Sequence, residues 1–140
     1  MANIGWEHFE HIADIGIRGK GKTKAHALEQ IAIAMTAVIT ELENINPEIK
    51  VKIHCQADDD DTLLYDFLNA IIYEMDTRKM LFSKFEVSLE QGTLEAILSG
   101  QAVDREIHQP VVEIKGATYT DLSFKQSDEG IWIASCVIDV

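Results

Sequence analysis

Between positions 49 and 56 the chain alternates residue by residue, with Ile49, Val51, Ile53 and Cys55 set against Lys50, Lys52, His54 and Gln56. Successive side chains of an extended strand point to opposite faces, so this run predicts a strand with one apolar and one wet face. A sheet wet on one side suits antiparallel pairing, because the crossover helices of a parallel sheet bury both faces. The apolar face then needs a cover, and the flanking segments supply it. After Thr23, a good N-cap, Leu28, Ile31, Ala32, Met35, Val38, Ile39 and Leu42 recur at three- and four-residue spacing, and the pattern ends at Asn44 to Pro47. From Asp61 or Thr62 to about Asp76, Leu64, Phe67, Leu68, Ile71, Ile72 and Met75 repeat the spacing. Both patterns predict amphipathic helices.

Further alternation follows. Phe85, Val87 and Leu89 alternate with Lys84, Glu86, Ser88 and Glu90, the Gln91-Gly92 pair can turn, and Leu94, Ala96 and Leu98 continue the pattern, which predicts a β-hairpin. Gly100 to Pro110 is polar and reads as loop. Val111 to Ile114, Thr118 to Phe124 and Ile131 to Val140 read as strands, the last two joined by the turn-rich Ser127-Asp128-Glu129-Gly130. The expected architecture is α+β, two amphipathic helices packed on a mostly antiparallel sheet, in one domain over residues 1–140. Strand order does not follow from these patterns.

Charge narrows the partners. With 24 acidic against 12 basic residues the formal charge is −12, which repels a phosphate backbone, so direct nucleic-acid binding is not expected. An acidic surface is compatible with a basic protein partner, a hard cation or simple solubility. The chain has no 18-residue apolar stretch, and Met1 to Glu10 is too polar for a signal peptide, so a cytoplasmic protein without a membrane role is expected. Cys55 and Cys136 stand alone and read as buried, reduced thiols.

Four motifs bear on chemistry. Gly16-Ile17-Arg18-Gly19-Lys20-Gly21-Lys22-Thr23 matches the phosphate-cradling pattern G-x-x-x-x-G-K-[ST], the mark of a nucleotide hydrolase. Such a loop follows a central parallel strand, which is continuously apolar, whereas Asp14 interrupts the run here and the next strand is half polar. The simpler reading makes Gly16, Gly19 and Gly21 a tight strand-to-helix turn, Thr23 the helix cap, and Lys20 and Lys22 solvated. His8, His11 and Asp14 would share a face only on a helix; in a strand they split between faces, so zinc is not expected there. Asp58 to Asp61 fails as a calcium loop, since Leu63 and Asn69 stand where Gly and Glu are needed, and reads as a helix N-terminus. Asp14 and Asp139 each interrupt an apolar segment, where an unpaired carboxylate is costly, and Asp139 precedes the last residue, Val140. Side-chain and α-carboxylate oxygens so close together suit a hard divalent cation.

Taken together, these segments resemble the archease family along nearly the whole chain. Trp6-Glu7-His8-Phe9-Glu10-His11-Ile12-Ala13-Asp14-Ile15-Gly16-Ile17-Arg18-Gly19 resembles the signature W-E-H-x-x-H-T-A-D-I-G-I-R-G, with Ile12 in place of Thr. Leu63-Leu64-Tyr65-Asp66-Phe67-Leu68 resembles L-L-Y-x-F-L. Asp104 and His108, then Ile114-Lys115-Gly116-Ala117-Thr118-Tyr119-Thr120-Asp121, resemble D-x-x-x-H and V-K-A-[IV]-T-Y-H-D, and Ile138-Asp139-Val140 resembles the terminal D-[IV]. Thr120 departs from the motif's His, as do Gly116 and Ala117 from its Ala and branched residue.

The resemblance implies an accessory protein rather than an enzyme. It implies that Asp14, Asp139 and Val140 hold a divalent cation, with calcium the expected ion, and that Lys115 serves a partner interaction. The implied partner is an RtcB-type RNA ligase, whose guanylylation and turnover the protein promotes in tRNA splicing and RNA repair. A phosphate-loop hydrolase using Gly16 to Thr23 and a chaperone-like protein-binding module are the alternatives.

Overall fold

The computed structural model describes residues 4–10 and 14–140. In chain order it contains β1 (Gly5–Glu10), β2 (Ile15–Gly21), α1 (Lys24–Ile39), β3 (Ile49–Gln56), α2 (Asp60–Arg78), β4 (Met80–Glu90), β5 (Thr93–Ala102), α3 (Arg105–His108), β6 (Gly116–Ala117), β7 (Ser123–Gln126) and β8 (Trp132–Asp139). A 3-10 turn over Leu42–Asn44 follows α1. Every ladder is antiparallel. The strands form two sheets rather than the single one expected: β1-β2-β8-β6 with β7 also on β8, and β3-β5-β4. None of these helices is long and apolar enough to cross a membrane.

The alternating run Ile49–Gln56 forms the expected strand, though Ile49 at its start is exposed. Val51, Ile53 and Cys55 lie opposite Leu98, Ala96 and Leu94 on the buried face, and the lysines between them face water. Gln91 and Gly92, both with positive φ (47° and 79°), make the hairpin turn that the opposing strand twist requires.

Both helices bridge the sheets. α1 packs on β1, β2 and β8 of the first sheet and on β4 of the second; α2 packs on β3, β4 and β5 and also on β6 and β7. Thr23 caps α1 by accepting the His26 amide at 3.1 Å. Asp59 caps α2, accepting the Thr62 amide at 2.7 Å, so that helix begins at Asp60 and runs to Arg78, longer at both ends than the spacing indicated. Lys79, left-handed at φ 55°, stops it. The contiguous core includes fully buried Leu28, Ile31 and Met35 of α1, Phe67, Leu68 and Ile71 of α2, and Ile17, Leu98 and Ile138 from the strands.

The glycines of the apparent phosphate loop lie inside β2, not in a turn. A methyl group at Gly19 would stand 2.2 Å from the Ile31 amide nitrogen and 2.4 Å from the Ala27 carbonyl oxygen, and one at Gly21 would meet the Ala27 nitrogen at 2.7 Å. These positions let the backbones of strand and helix touch, leaving no cradle for phosphate. Lys20, expected in solvent, is paired with Glu7 at 3.0 Å.

The second half departs further from its expected outline. The stretch read as loop from Gly100 holds the end of β5 and the one-turn helix α3, capped by the Asp104 carboxylate on the Glu106 amide at 3.0 Å. His108 is buried; its Nδ1 accepts the Asp104 amide at 2.9 Å, which leaves Nε2 to carry the proton toward Gln101 Oε1 at 3.0 Å. Val111 to Ile114 joins no ladder, since Val111 bonds instead to the end of α1 through the Ile39 carbonyl. The run from Thr118 is interrupted by a turn at Asp121, whose φ of 51° no strand accommodates, so only Ser123–Gln126 pairs there.

Cys55 and Cys136 are free and buried as expected. Burial pushes the Cys136 thiol up to about 11 from its ordinary 9.0, against a smaller lowering by the Thr118 main chain.

Two predictions follow from this packing. Gly19→Ala must part β2 from α1 and is expected to destabilise the fold by about 3 kcal/mol or more. Gly116→Ala, whose methyl would meet nothing nearer than Asn69 Oδ1 at 3.6 Å, is expected to cost about 0.5 kcal/mol or less, both read by urea unfolding. Because folded Cys136 keeps its proton until about pH 11 while the unfolded thiol ionises near 9, its contribution is complete below pH 9 and disappears as the pH rises to 11. Unfolding midpoints from pH 8 to 11 should therefore fall less steeply in Cys136→Ala than in the unsubstituted protein.

Candidate metal centre

The antiparallel register of β2 and β8 pairs Ile15 with Ile138, Ile17 with Cys136 and Gly19 with Ala134. Gly19 faces α1, so these pairs form the helix-facing side of the sheet, and the alternate residues Gly16, Arg18, Ser135 and Val137 lie on its other, outward side, where Ser135 and Val137 are nonetheless buried. The ladder ends at the Ile15–Ile138 pair, so Asp14 and Asp139 are the next residues of the two segments at the same sheet end. β6 adds the third side of this corner: Gly116 pairs with Asp139, and the Lys115 amide donates to the Asp139 carbonyl at 2.8 Å. The fold thus brings the sequence-predicted Asp14, Asp139 and Val140 to one end of one sheet, together with Lys115. Asp139 and Lys115 are exposed, Asp14 and Val140 half-buried.

Neither aspartate takes part in an ion pair among the described residues. Asp14 lines a depression of about 280 Å³ with His8, Phe9, Glu10 and Ile15. Glu10 is the carboxylate that sequence reasoning passed over. Its only signal was a position four residues before Asp14, and the β1-β2 hairpin brings it alongside by pairing it with Ile15. Among the described residues no group of three or more His, Cys, Asp or Glu could hold a metal ion. A centre here therefore rests on the two aspartates and the main-chain oxygens of Val140, a donor set of oxygen alone, which fits a hard cation and excludes a tetrahedral zinc site of nitrogen and sulfur.

The supports of the corner are polar and local. Asn69 of α2 accepts the Ala117 amide at 3.1 Å and so fixes β6; the sequence had marked Asn69 only as a failed calcium-loop position. Thr118 donates its hydroxyl to the Val137 carbonyl at 2.7 Å. Tyr119 stacks on Tyr65 with ring centroids 4.3 Å apart and planes at 8°, and the neighbouring phenol raises the Tyr119 pKa. Further up the outward face, Arg18 donates to Ser135 Oγ at 2.9 Å and to Glu7 at 3.3 Å and lies over the Phe9 ring. The Lys20 ammonium, then Arg18, holds the Glu7 carboxyl below its ordinary range.

The remaining motifs are structural. His8 lies with Nε2 2.8 Å from the Ala34 carbonyl of α1, a satisfied histidine, and His11, Ile12 and Ala13 lie outside the described residues. Of the Asp58 to Asp61 run, Asp59 caps α2, Asp60 pairs with Lys24 at 3.0 Å, and Asp61 accepts the Phe124 amide of β7 at 2.8 Å.

Comparison with known proteins identifies the family and the fold. The model of the archease protein family matches residues 6–140. The protein archease of Pyrococcus furiosus is 38% identical over 139 residues, covering 96% of this chain and 98% of its own, and that of Pyrococcus abyssi is 35% identical with the same coverage. The solution structure of Methanobacterium thermoautotrophicum protein 1598 superposes with a TM-score of 0.86 at 27% identity, over 97% of this chain and 99% of that one. The crystal structure of an archease from Thermotoga maritima, described as a possible chaperone, shares the fold with a TM-score of 0.64 at 18% identity, over 94% of each chain. With a family model matching from Trp6 to Val140 and relatives above 30% identity across their full length, the chain belongs to the archease family.

Proposed function

We propose that this protein is a non-enzymatic, cytoplasmic activator of an RtcB-type RNA ligase. It promotes guanylylation of the ligase and its turnover in tRNA splicing and RNA repair, and uses a divalent cation, calcium, held by Asp14, Asp139 and Val140. The observation that supports the reading is the β2-β8 register, which pairs Ile15 with Ile138 and so leaves Asp14 and Asp139 at the same sheet end in a chain that the family model matches. Asp139 is exposed on a rigid strand end, so its oxygens can meet a partner without rearrangement of the sheet. When bound, the ion supplies positive charge that shields nucleotide phosphates in the ligase site.

The chain's own residues supply position. Asn69 and Thr118 hold β6 and the strand end in register, and the exposed Lys115 beside Asp139 offers a cation to the partner or its nucleotide. The formal charge of −12 favours a basic protein partner over RNA itself.

Single-turnover GMP transfer to a cognate ligase tests the partner role. Addition of this protein should raise the rate, and Asp14→Ala, still folded, should lose roughly tenfold or more of that stimulation, about 1.4 kcal/mol in the transferred step. Absence of any stimulation by the unsubstituted protein would overturn the ligase reading; full stimulation by Asp14→Ala would remove only the cation. The ion is tested separately by melting. Free calcium at a hundredfold excess over its dissociation constant should stabilise the fold by about 2.7 kcal/mol, a Tm rise on the order of 10 °C, reversed by chelation and absent in Asp139→Asn.

A further inference from the structure

From the carboxylate corner, residues 117–124 run beside α2. Asp61, Tyr65 and Asn69 recur at four-residue spacing and so share one face of that helix. Asp61 accepts the Phe124 amide at 2.8 Å and Asn69 the Ala117 amide at 3.1 Å, and between these two contacts Tyr65 stacks on Tyr119. The outer contacts fasten the main chain of the segment. The middle one holds a large aromatic side chain out in solvent, for Tyr119 is 73% exposed.

Burial therefore does not account for Tyr119. One face of its ring lies against Tyr65, with planes at 8°, so the exposed area is that of the other face, and the stack holds it in place. A tyrosine already fixed in position loses little freedom when a partner covers it, and such side chains anchor interfaces.

The charges around the ring select what covers it. The Tyr119 pKa is raised first by the Tyr65 phenol and further by the carboxylate of Asp66, the next residue of α2, so the charge of Asp66 reaches the ring. Asp121 is exposed in the turn that the Leu122 amide closes on the Tyr119 carbonyl at 3.3 Å. Neither aspartate is ion-paired among the described residues. Elsewhere the chain covers aromatic rings with its own cations, Arg18 over Phe9 at 4.5 Å and Lys24 over Trp132 at 4.9 Å, but among the described residues no cation lies over Tyr119. A negative ring face beside two free carboxylates attracts a cation and repels the phosphates of a nucleotide. Of the cationic side chains, only a guanidinium can lie flat on the ring while the N–H groups of its edge reach a carboxylate.

We propose that the outer face of Tyr119, with the carboxylates of Asp66 and Asp121, receives an arginine side chain of a protein partner. That the partner is the ligase rests on the function proposed above, whereas the preference for a guanidinium rests on the ring and the two aspartates alone.

The contact is tested without the ligase by titrating acetyl-Gly-Arg-Gly-amide into the full chain and following the Tyr119 and Tyr65 ring protons by NMR. The ring signals should shift with a dissociation constant on the order of 10 mM, and the δ-methylene of the peptide should move upfield under the ring current. The lysine analogue should bind about threefold more weakly, Asp66→Asn should weaken the arginine peptide about threefold, and Tyr119→Leu, which keeps apolar bulk without the ring, should abolish the upfield shift. No shift at about 50 mM arginine peptide, equal binding of the lysine analogue, or a larger response of the ring to GMP would overturn the proposal. In the GMP-transfer assay, Tyr119→Leu should raise the concentration of this protein needed for half-maximal stimulation by roughly tenfold, while Tyr119→Phe should match the unsubstituted protein. An unchanged half-maximal concentration in Tyr119→Leu would overturn the arginine contact with the ligase and leave the ligase reading standing. Absence of stimulation by the unsubstituted protein would overturn the ligase reading, and the peptide titration would still decide the arginine site.

Discussion

The contact on which the rest depends is that between the backbones of β2 and α1. At Gly19 the strand lies against the helix with no room for a methyl group, and Gly21 repeats the approach at the next inward position. This closeness lets α1 serve two sheets. While one side of the helix rests on β2, the other side bonds to the edge of β4, where Glu29 accepts the Val87 amide at 2.8 Å and Thr36 donates its hydroxyl to the Phe82 carbonyl at 3.1 Å. A bulkier strand would push the helix away from one sheet or off the other. The position of β2 in turn fixes β8 through their ladder, and hence where Asp139 emerges.

The same device recurs where α2 meets β7 and β6. Asp61 of α2 accepts the Phe124 amide of β7, and Asn69 accepts the Ala117 amide of β6, at 2.8 and 3.1 Å. With Glu29 on β4, three polar helix residues close main-chain donors that an edge strand would otherwise present to other chains. Part of the acidity that reads as a solvated surface is therefore structural. Carboxylates at Glu29, Asp59 and Asp61 accept amide bonds while keeping their charge.

How much of this was legible in the sequence depended on whether the cause was local. The strand Ile49–Gln56 and the Gln91-Gly92 turn could be read because alternation and positive φ are properties of neighbouring residues. Thr23 was legible as a cap for the same reason. The role of the β2 glycines was not, because the reason for them lies in Ala27 and Ile31 across a tertiary contact, and a glycine-rich run looks alike whether it turns, cradles phosphate or admits a helix. The second sheet was hidden likewise: alternation reports one buried face and is silent on which strand lies beside it. The run from Thr118 failed as a strand because one left-handed residue, Asp121, outweighs several with extended preference. Of the candidate centre, Asp14 and Asp139 were visible as carboxylates out of place in apolar runs. Their coming together followed only from the family resemblance and not from the residues themselves, since it is a matter of register between segments far apart in the chain.

That juxtaposition has a physical consequence for how the corner is built. Asp14 and Asp139 come to one sheet end with no ion pair among the described residues, so their like charges disfavour the arrangement unless it is held from elsewhere. The holding groups are neutral. Asn69 on the Ala117 amide, the Thr118 hydroxyl on the Val137 carbonyl and the Lys115 amide on the Asp139 carbonyl all act through the main chain. Neutral supports keep the carboxylate oxygens unspent, whereas an arginine in their place would stabilise the corner and abolish its capacity for a cation. The nearest arginine along the outward face, Arg18, is bound to Glu7 and Ser135 and covers Phe9. A sheet end that leaves its carboxylates unpaired while its backbone is fastened gives up stability in the way the proposed cation site requires.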